Sequence, residues 1–156
     1  MSRAFVKESD QDDSNLPERP ISPHPNLVTP VGQQQIEAQV KGLEAELQSA
    51  RAAGDTEAVA RVSRDLRYWT QRRSSARVVE PLTTAPESVR FGARVTIGLE
   101  DGTERVFRIV GEDEADPARG LLSWVSPVAS ALIGKSVGDT VKLPAGGEAE
   151  ILHIDP

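Results

Sequence analysis

The residues whose types and spacing could do chemistry are Asp55, in the stretch Ala52–Ala53–Gly54–Asp55–Thr56 between two long helical segments, and Glu57 just after it. Two carboxylates alone hold a hard divalent cation weakly, because oxygen-ligand sites need several donors. They could instead complete a site whose other ligands belong to a partner, positioning an ion and a water for hydrolysis. The same residues have a structural reading. Gly54 can end one helix in a left-handed conformation, Asp55 or Thr56 can cap the next, and carboxylates suit its positive dipole end. A second acidic group, Glu112, Asp113, Glu114 and Asp116, reads as the solvated rim of a loop, with a metal cage as the lesser alternative. His24 and His153 are far apart in sequence, and no ligand cluster accompanies either. Cysteine is absent, which excludes disulfides, thiolate chemistry and cysteine-based zinc sites. No serine–histidine–acid set, phosphate-binding glycine loop or dinucleotide fingerprint occurs. No cofactor of the chain's own is expected.

The elements that must position the acidic pair are helices. Ile36, Val40, Leu43, Leu47 and Ala50 recur at spacings of three and four, and so do Val59, Val62, Leu66, Trp69 and Ala76, with Arg73 interrupting the second stripe. Such spacing lines residues up on one helical face, and two such faces bury each other. An antiparallel coiled-coil hairpin is predicted over residues 29–79, with its tip at 54–57. Thr29 as N-cap and Pro30 at the first helical position open helix one, which runs to about Ala53. Roughly 24 residues make a rod of about 36 Å. Helix two, to about Arg77, carries Arg61, Arg64, Arg67, Arg72, Arg73 and Arg77 against Glu57 and Asp65. This is a solvated face, or a basic stripe for an acidic protein surface or a nucleic acid.

Residues 1–28 read as a flexible acidic and proline-rich arm: Asp10, Asp12 and Asp13 precede Pro17, Pro20, Pro23 and Pro25. Residues 80–88 are a linker. From 89 to 156 the pattern changes to strands. Val95, Ile97 and Leu99 alternate, Glu100–Thr103 is a turn, and Arg105–Val110 resumes strand character. Leu121–Val125 follows, then a short helix opened by Ser126–Pro127 and ending near Ile133, then strands at Thr140–Leu143 and Glu148–Ile154. The fold class is α+β: a helical hairpin, then a small antiparallel sheet with one short helix.

Charge and length set bounds. The 156 residues carry 18 basic and 24 acidic side chains, a net charge of −6. A dedicated duplex-DNA binder would need excess positive charge. The opening MSRAFVKESD turns acidic before any apolar run, so no signal peptide is expected. No stretch approaches the roughly 20 apolar residues that cross a bilayer. A cytoplasmic protein without membrane association, and a monomer, is the expectation.

Several stretches together resemble the Gre family of bacterial transcript cleavage and elongation factors, in its shorter GreA/GreB-like form. Leu27–Val28–Thr29–Pro30–Val31–Gly32 is similar to the family's opening of the first helix, and Ala53–Gly54–Asp55 to its tip. Phe107–Arg108–Ile109–Val110–Gly111, the run from Ser126 to Lys135, Val137–Gly138–Asp139 and Pro144–Ala145–Gly146–Gly147–Glu148 resemble its C-terminal domain. The resemblance implies an FKBP-like C-terminal domain that docks on bacterial RNA polymerase near the secondary channel, with the coiled coil entering that channel. It implies that acidic tip residues, here Asp55 and Glu57, stabilise the polymerase's catalytic magnesium, so that the polymerase hydrolyses backtracked transcript. Nascent RNA would be contacted only indirectly. Arg61, Arg64 and Arg67 on the hairpin, and Ser126, Pro127, Leu132 and Ile133 in the C-terminal motif, are the candidate polymerase contacts.

Two departures qualify that expectation. Family tips carry Asp followed three positions later by Glu. Here the third position is Ala58 and the glutamate is one residue early, a rotation of about 100° on a helix. Each arm is also shorter than in the cleavage factors by roughly eight or nine residues, about 13 Å at 1.5 Å per residue. Binding with occlusion or anti-backtracking, without cleavage stimulation, is the alternative function, and a non-catalytic interaction module is a third. A free-standing prolyl isomerase fits poorly, since the C-terminal half offers only Phe91, Phe107 and Trp124 to line a prolyl pocket.

Overall fold

The computed structural model describes residues 16–156, so the part of the acidic arm before residue 16 lies outside the described residues. Two compact units emerge. One joins residues 16–23 to 34–75; the other joins 24–33 to 76–156.

The first unit is the helical hairpin. Helix α1 spans Pro30–Ala52 and α2 spans Thr56–Ser75. The predicted stripe of α1 is the buried one: Ile36 and Val40 are 2% and 1% exposed, Leu47 and Ala50 are buried, and Leu43 is half-buried. On α2 Val62 is buried, with Val59, Leu66 and Trp69 half-buried beside it. Full burial of such an aliphatic side chain stabilises by about 1.5–3 kcal/mol. The arginine reading needs correction. Arg73 does not interrupt the apolar stripe; it is exposed and reaches Glu37 of α1 at 3.8 Å. Arg72 is the buried cation, at 2% exposure.

Helix α2 also ends earlier than predicted, at Ser75 instead of Arg77. The Ser74 and Ser75 hydroxyls both donate to the Gln71 carbonyl, at 3.1 and 3.0 Å, a local bond that competes with helix continuation. Beyond it Arg77–Val78 becomes strand β2, paired in parallel with β1, Leu27–Val28. The Arg77 amide donates to the Asn26 carbonyl at 2.8 Å and the Val79 amide to the Val28 carbonyl at 2.9 Å. These partners are 51 residues apart in sequence, out of reach of any local pattern.

The second unit holds a five-stranded sheet of order β5-β4-β3-β7-β6. Its strands are β3 (Arg94–Leu99), β4 (Glu104–Val110), β5 (Leu121–Ser123), β6 (Thr140–Lys142) and β7 (Glu148–Asp155). Helix α3, Pro127–Leu132, covers it. Val95, Ile97, Ile109, Ile151 and Leu132, none more than 1% exposed, form its core with Ala129 and Val89. The β3–β4 hairpin turns where predicted. The Asp101 carboxylate accepts from the Thr103 hydroxyl at 2.6 Å and the Thr103 amide at 2.9 Å. These bonds hold the Asp101 carboxyl below the usual aspartate range.

One pairing departs from the predicted antiparallel sheet: β4 and β5 run parallel, Arg108 beside Leu121. The segment 111–120, tightened by a 3-10 turn at Pro117–Arg119, carries the chain back alongside β4 as far as Arg108, so β5 runs in the same direction beside the second half of β4. In that segment the acidic loop has an internal task. The Thr29 hydroxyl accepts from the Gly32 amide at 3.0 Å, capping α1, and donates to the Glu114 carboxylate in a short hydrogen bond. A Cβ on Gly32 would stand 2.8 Å from that carboxylate. Gly111 is tighter still, because a Cβ there would collide with the Leu27 backbone carbonyl, which cannot swing aside as a side chain can.

Gly111→Ala is therefore expected to destabilise the fold by about 1–3 kcal/mol through overpacking. Leu132→Ala, which empties a fully buried site, is expected to cost about 2–5 kcal/mol. Denaturant unfolding measures both, and losses below about 0.5 kcal/mol would contradict these packing assignments.

Candidate functional site

The tip of the hairpin is built by two interlocking caps. Ala53 and Gly54 end α1, with Gly54 at φ +66°, where a side chain would be strained. The Asp55 amide donates to the Ala50 carbonyl at 3.0 Å and the Gly54 amide to the Arg51 carbonyl at 3.1 Å. That pair of bonds is a Schellman motif, satisfying two carbonyls the helix end leaves open. Asp55 then opens α2: its carboxylate accepts from the Ala58 amide at 3.1 Å, and its carbonyl accepts from the Val59 amide at 3.0 Å. One residue thus closes the reversal through its backbone amide and starts the next helix through its side chain.

This geometry bears directly on the acidic pair. Asp55 and Glu57 are both exposed. One Asp55 oxygen, however, is committed to the Ala58 amide. Glu57 lies on regular helix one residue past Thr56, so the 100° rotation from the third position applies in full. Two carboxylates, one already serving as a cap, do not fit a resident cation. Among the described residues no group of three or more histidine, aspartate or glutamate side chains is placed to hold a metal ion. Glu57 at the start of α2 and Arg51 in the last turn of α1 each oppose the dipole end beside them.

The basic residues of α2 fall into three situations. Arg61 is exposed. Arg64 is half-buried with its guanidinium 3.4 Å from the Asp65 carboxylate. Arg67 is gripped by Glu18: its Nε lies 3.0 Å from each carboxylate oxygen and its terminal nitrogen 2.5 Å from one of them. That hydrogen bonding lowers the Glu18 carboxyl below its ordinary range and raises the Arg67 guanidinium. Arg19 extends the contact, with its guanidinium carbon 3.9 Å above the Tyr68 ring and 5.7 Å from the Trp69 ring, and a nitrogen 3.4 Å from Asp65. Neither Glu18, Arg19 nor Tyr68 stands out by periodicity. The available signal is the acid–base dipeptide held between Pro17 and Pro20, matched to Asp65 and Arg67.

In the other unit, Ser126 caps α3 through the Ala129 amide at 3.3 Å, and Pro127 follows at the first helical position. Leu132 is fully buried, so it supports this surface from beneath and presents nothing to a partner. Ile133, at the opposite end of α3 from Ser126, and Val137 are 36% and 59% exposed, large apolar side chains in contact with solvent. No helix among the described residues is long and apolar enough to cross a membrane.

Residues 84–156 match the family model described as transcription elongation factor, GreA/GreB, C-term. The chain is similar to transcription elongation factor GreB of Neisseria meningitidis serogroup B, 43% identical over 98 residues, covering 60% of each chain. It is similar to GreA of Paracoccus denitrificans, 49% identical over 85 residues, covering 52% of this chain and 54% of that one. These matches span little more than half the length of those relatives. A longer match joins it to GreA of Acidiphilium cryptum, 34% identical over 139 residues, covering 77% of this chain and 88% of that protein. A likeness that reaches across nearly the whole of one such factor, with the C-terminal match beside it, means that the chain belongs to the GreA/GreB family of transcription elongation factors.

Proposed function

We propose that this protein binds RNA polymerase as a regulator of transcription elongation, acting through the secondary channel by occupancy and not by stimulating transcript cleavage. The observation that carries the reading is the double duty of Asp55, which caps α2 while Glu57 sits out of register on the same helix. A carboxylate fixed to its own backbone has less freedom to move onto an ion held elsewhere, and the residue at the third position, Ala58, offers no ligand. The rod is then a rigid insert. Its rigidity follows from the Schellman turn and the buried stripes of both helices.

Docking falls to the second unit, read as an FKBP-like domain. Ser126, Pro127 and Ile133 form the contact, with exposed apolar Ile133 as its anchor and Leu132 fixing the backbone beneath. On the rod, Arg61, Arg64 and Arg67 face an acidic channel wall. Membership of the family and the elongation-factor names of the relatives support the partner class. Cleavage stimulation is the second reading; it is favoured only by the exposure of both tip carboxylates.

Backtracked polymerase complexes distinguish the two. The wild-type protein is expected to bind them and leave the rate of RNA shortening at the polymerase's own level. Stimulated shortening that disappears in Asp55→Asn and Glu57→Ala would overturn the proposal. The asparagine variant matters because it keeps the cap, whereas Asp55→Ala is expected to cost about 0.5–2 kcal/mol of stability by losing it. Reversing charge at Arg61, Arg64 and Arg67 together is expected to weaken polymerase binding about tenfold or more at low salt. Unchanged affinity would leave these arginines as a solvated face.

A further inference from the structure

The segment before α1 crosses the basic face of α2 in an ordered way that the proposed function does not use. Pro17 and Pro20 flank Glu18 and Arg19, and prolines bias neighbouring backbone towards extended conformations. Across this short span the charges are matched crosswise. Glu18 takes three hydrogen bonds from Arg67, and Arg19 stacks over Tyr68 while reaching Asp65. The seat is not filled, however. A groove of about 660 Å³ remains beside the strap, walled by Ile21, Leu47, Leu66 and Tyr68, and Ile21 is 39% exposed.

The contacts holding the strap are of a kind easily exchanged. Arg67 and Glu18 are 56% and 61% exposed, and ion pairs in water contribute little net stability and are screened by salt. A planar guanidinium nevertheless recognises a carboxylate with defined geometry. The bond from Glu18 to Arg67 therefore reports what this face accepts: a carboxylate on an extended peptide. Arg61 is exposed nearly two turns from Arg67 with Arg64 between them, so an incoming segment with several carboxylates would engage Arg61, which makes no hydrogen bond with Glu18.

We propose that the Arg61–Trp69 face of α2 is an interaction surface for a carboxylate-bearing protein segment, and that Glu18–Arg19 occupies it in cis as an exchangeable competitor. The strap lowers the effective affinity of the face until a partner with several carboxylates displaces it. Tethering gives the strap a high local concentration, so a single carboxylate in trans does not displace it, whereas a multivalent acidic surface does. The inference rests on the polymerase reading only for the identity of that partner; masking of the face stands or falls separately.

The test uses the full chain and the double variant Glu18→Gln with Arg19→Gln, which leaves net charge unchanged. Poly-L-glutamate serves as the carboxylate probe. The double variant is expected to bind it about three- to tenfold more tightly than wild type at low salt. The difference should close near 1 M salt, where the screening length falls to about 3 Å. Adding Arg67→Gln to the double variant should abolish the gain. Equal or weaker binding by the double variant overturns the proposal. So does a gain that survives loss of Arg67, or a gain seen with a single-stranded RNA oligonucleotide and not with poly-L-glutamate. In wild type, poly-L-glutamate should shift the Arg67 Nε–H resonance in NMR spectra, and an unmoved resonance at saturating probe counts against it. A polymerase-binding assay separates the two proposals. If neither protein binds polymerase but poly-L-glutamate discriminates between them, the polymerase reading fails and the strap stands. If both bind polymerase equally and poly-L-glutamate does not discriminate, the strap fails and the polymerase reading stands.

Discussion

The hairpin turns on one residue, Asp55. Its backbone amide closes the Schellman turn onto the Ala50 carbonyl, and its carboxylate opens α2 by accepting from the Ala58 amide. Both bonds stabilise the reversal of the chain within the few residues between α1 and α2. Only after that reversal can the stripe of Ile36, Val40 and Leu47 find its counterpart on Val62 and Leu66. A family tip that is read first as chemistry is here first a folding device. The same bonds bear on the proposed function: the Asp55 carboxylate is exposed, and one of its oxygens is engaged by the Ala58 amide.

The second unit solves a different problem. Its core is small, drawn mainly from valine, isoleucine and leucine, so long-range backbone pairing and close approaches carry much of its definition. Gly111 lets the Leu27 carbonyl lie against the β4 exit, and β1 pairs with β2 across fifty residues. Glu114 secures the start of α1 through Thr29. The acidic loop, a solvated rim by composition, thus contributes one carboxylate to helix capping.

Local rules made much of this legible in the sequence. Thr29–Pro30 and Ser126–Pro127 both start helices where cap-plus-proline logic puts them, and Gly54 ends α1. The period of the apolar residues identified the faces that are buried. What local rules missed is nonlocal. Nothing near Arg77 announces a parallel partner at Leu27, and the direction of β5 is decided by the path of 111–120. The arginine nearest the stripe by count, Arg73, is exposed, while Arg72 is buried, because a long side chain's burial depends on what lies opposite it. At the candidate site, the tip was legible because caps are local; the seat of Glu18 and Arg19 on α2 was not, because it joins residues 46 to 49 positions apart.

The central claim is that the rod enters the polymerase and occupies its channel. The absence of cysteine allows a direct measurement. A single Ala53→Cys substitution places a thiol at the tip while leaving Asp55 and both caps in place, and an iron chelate attached there cuts whatever polymer backbone lies nearby. The account predicts cuts in polymerase segments lining the secondary channel, with no accelerated shortening of backtracked RNA by the unlabelled protein. Cuts confined to the outer surface of the polymerase, or none in a complex shown to be bound, would contradict it.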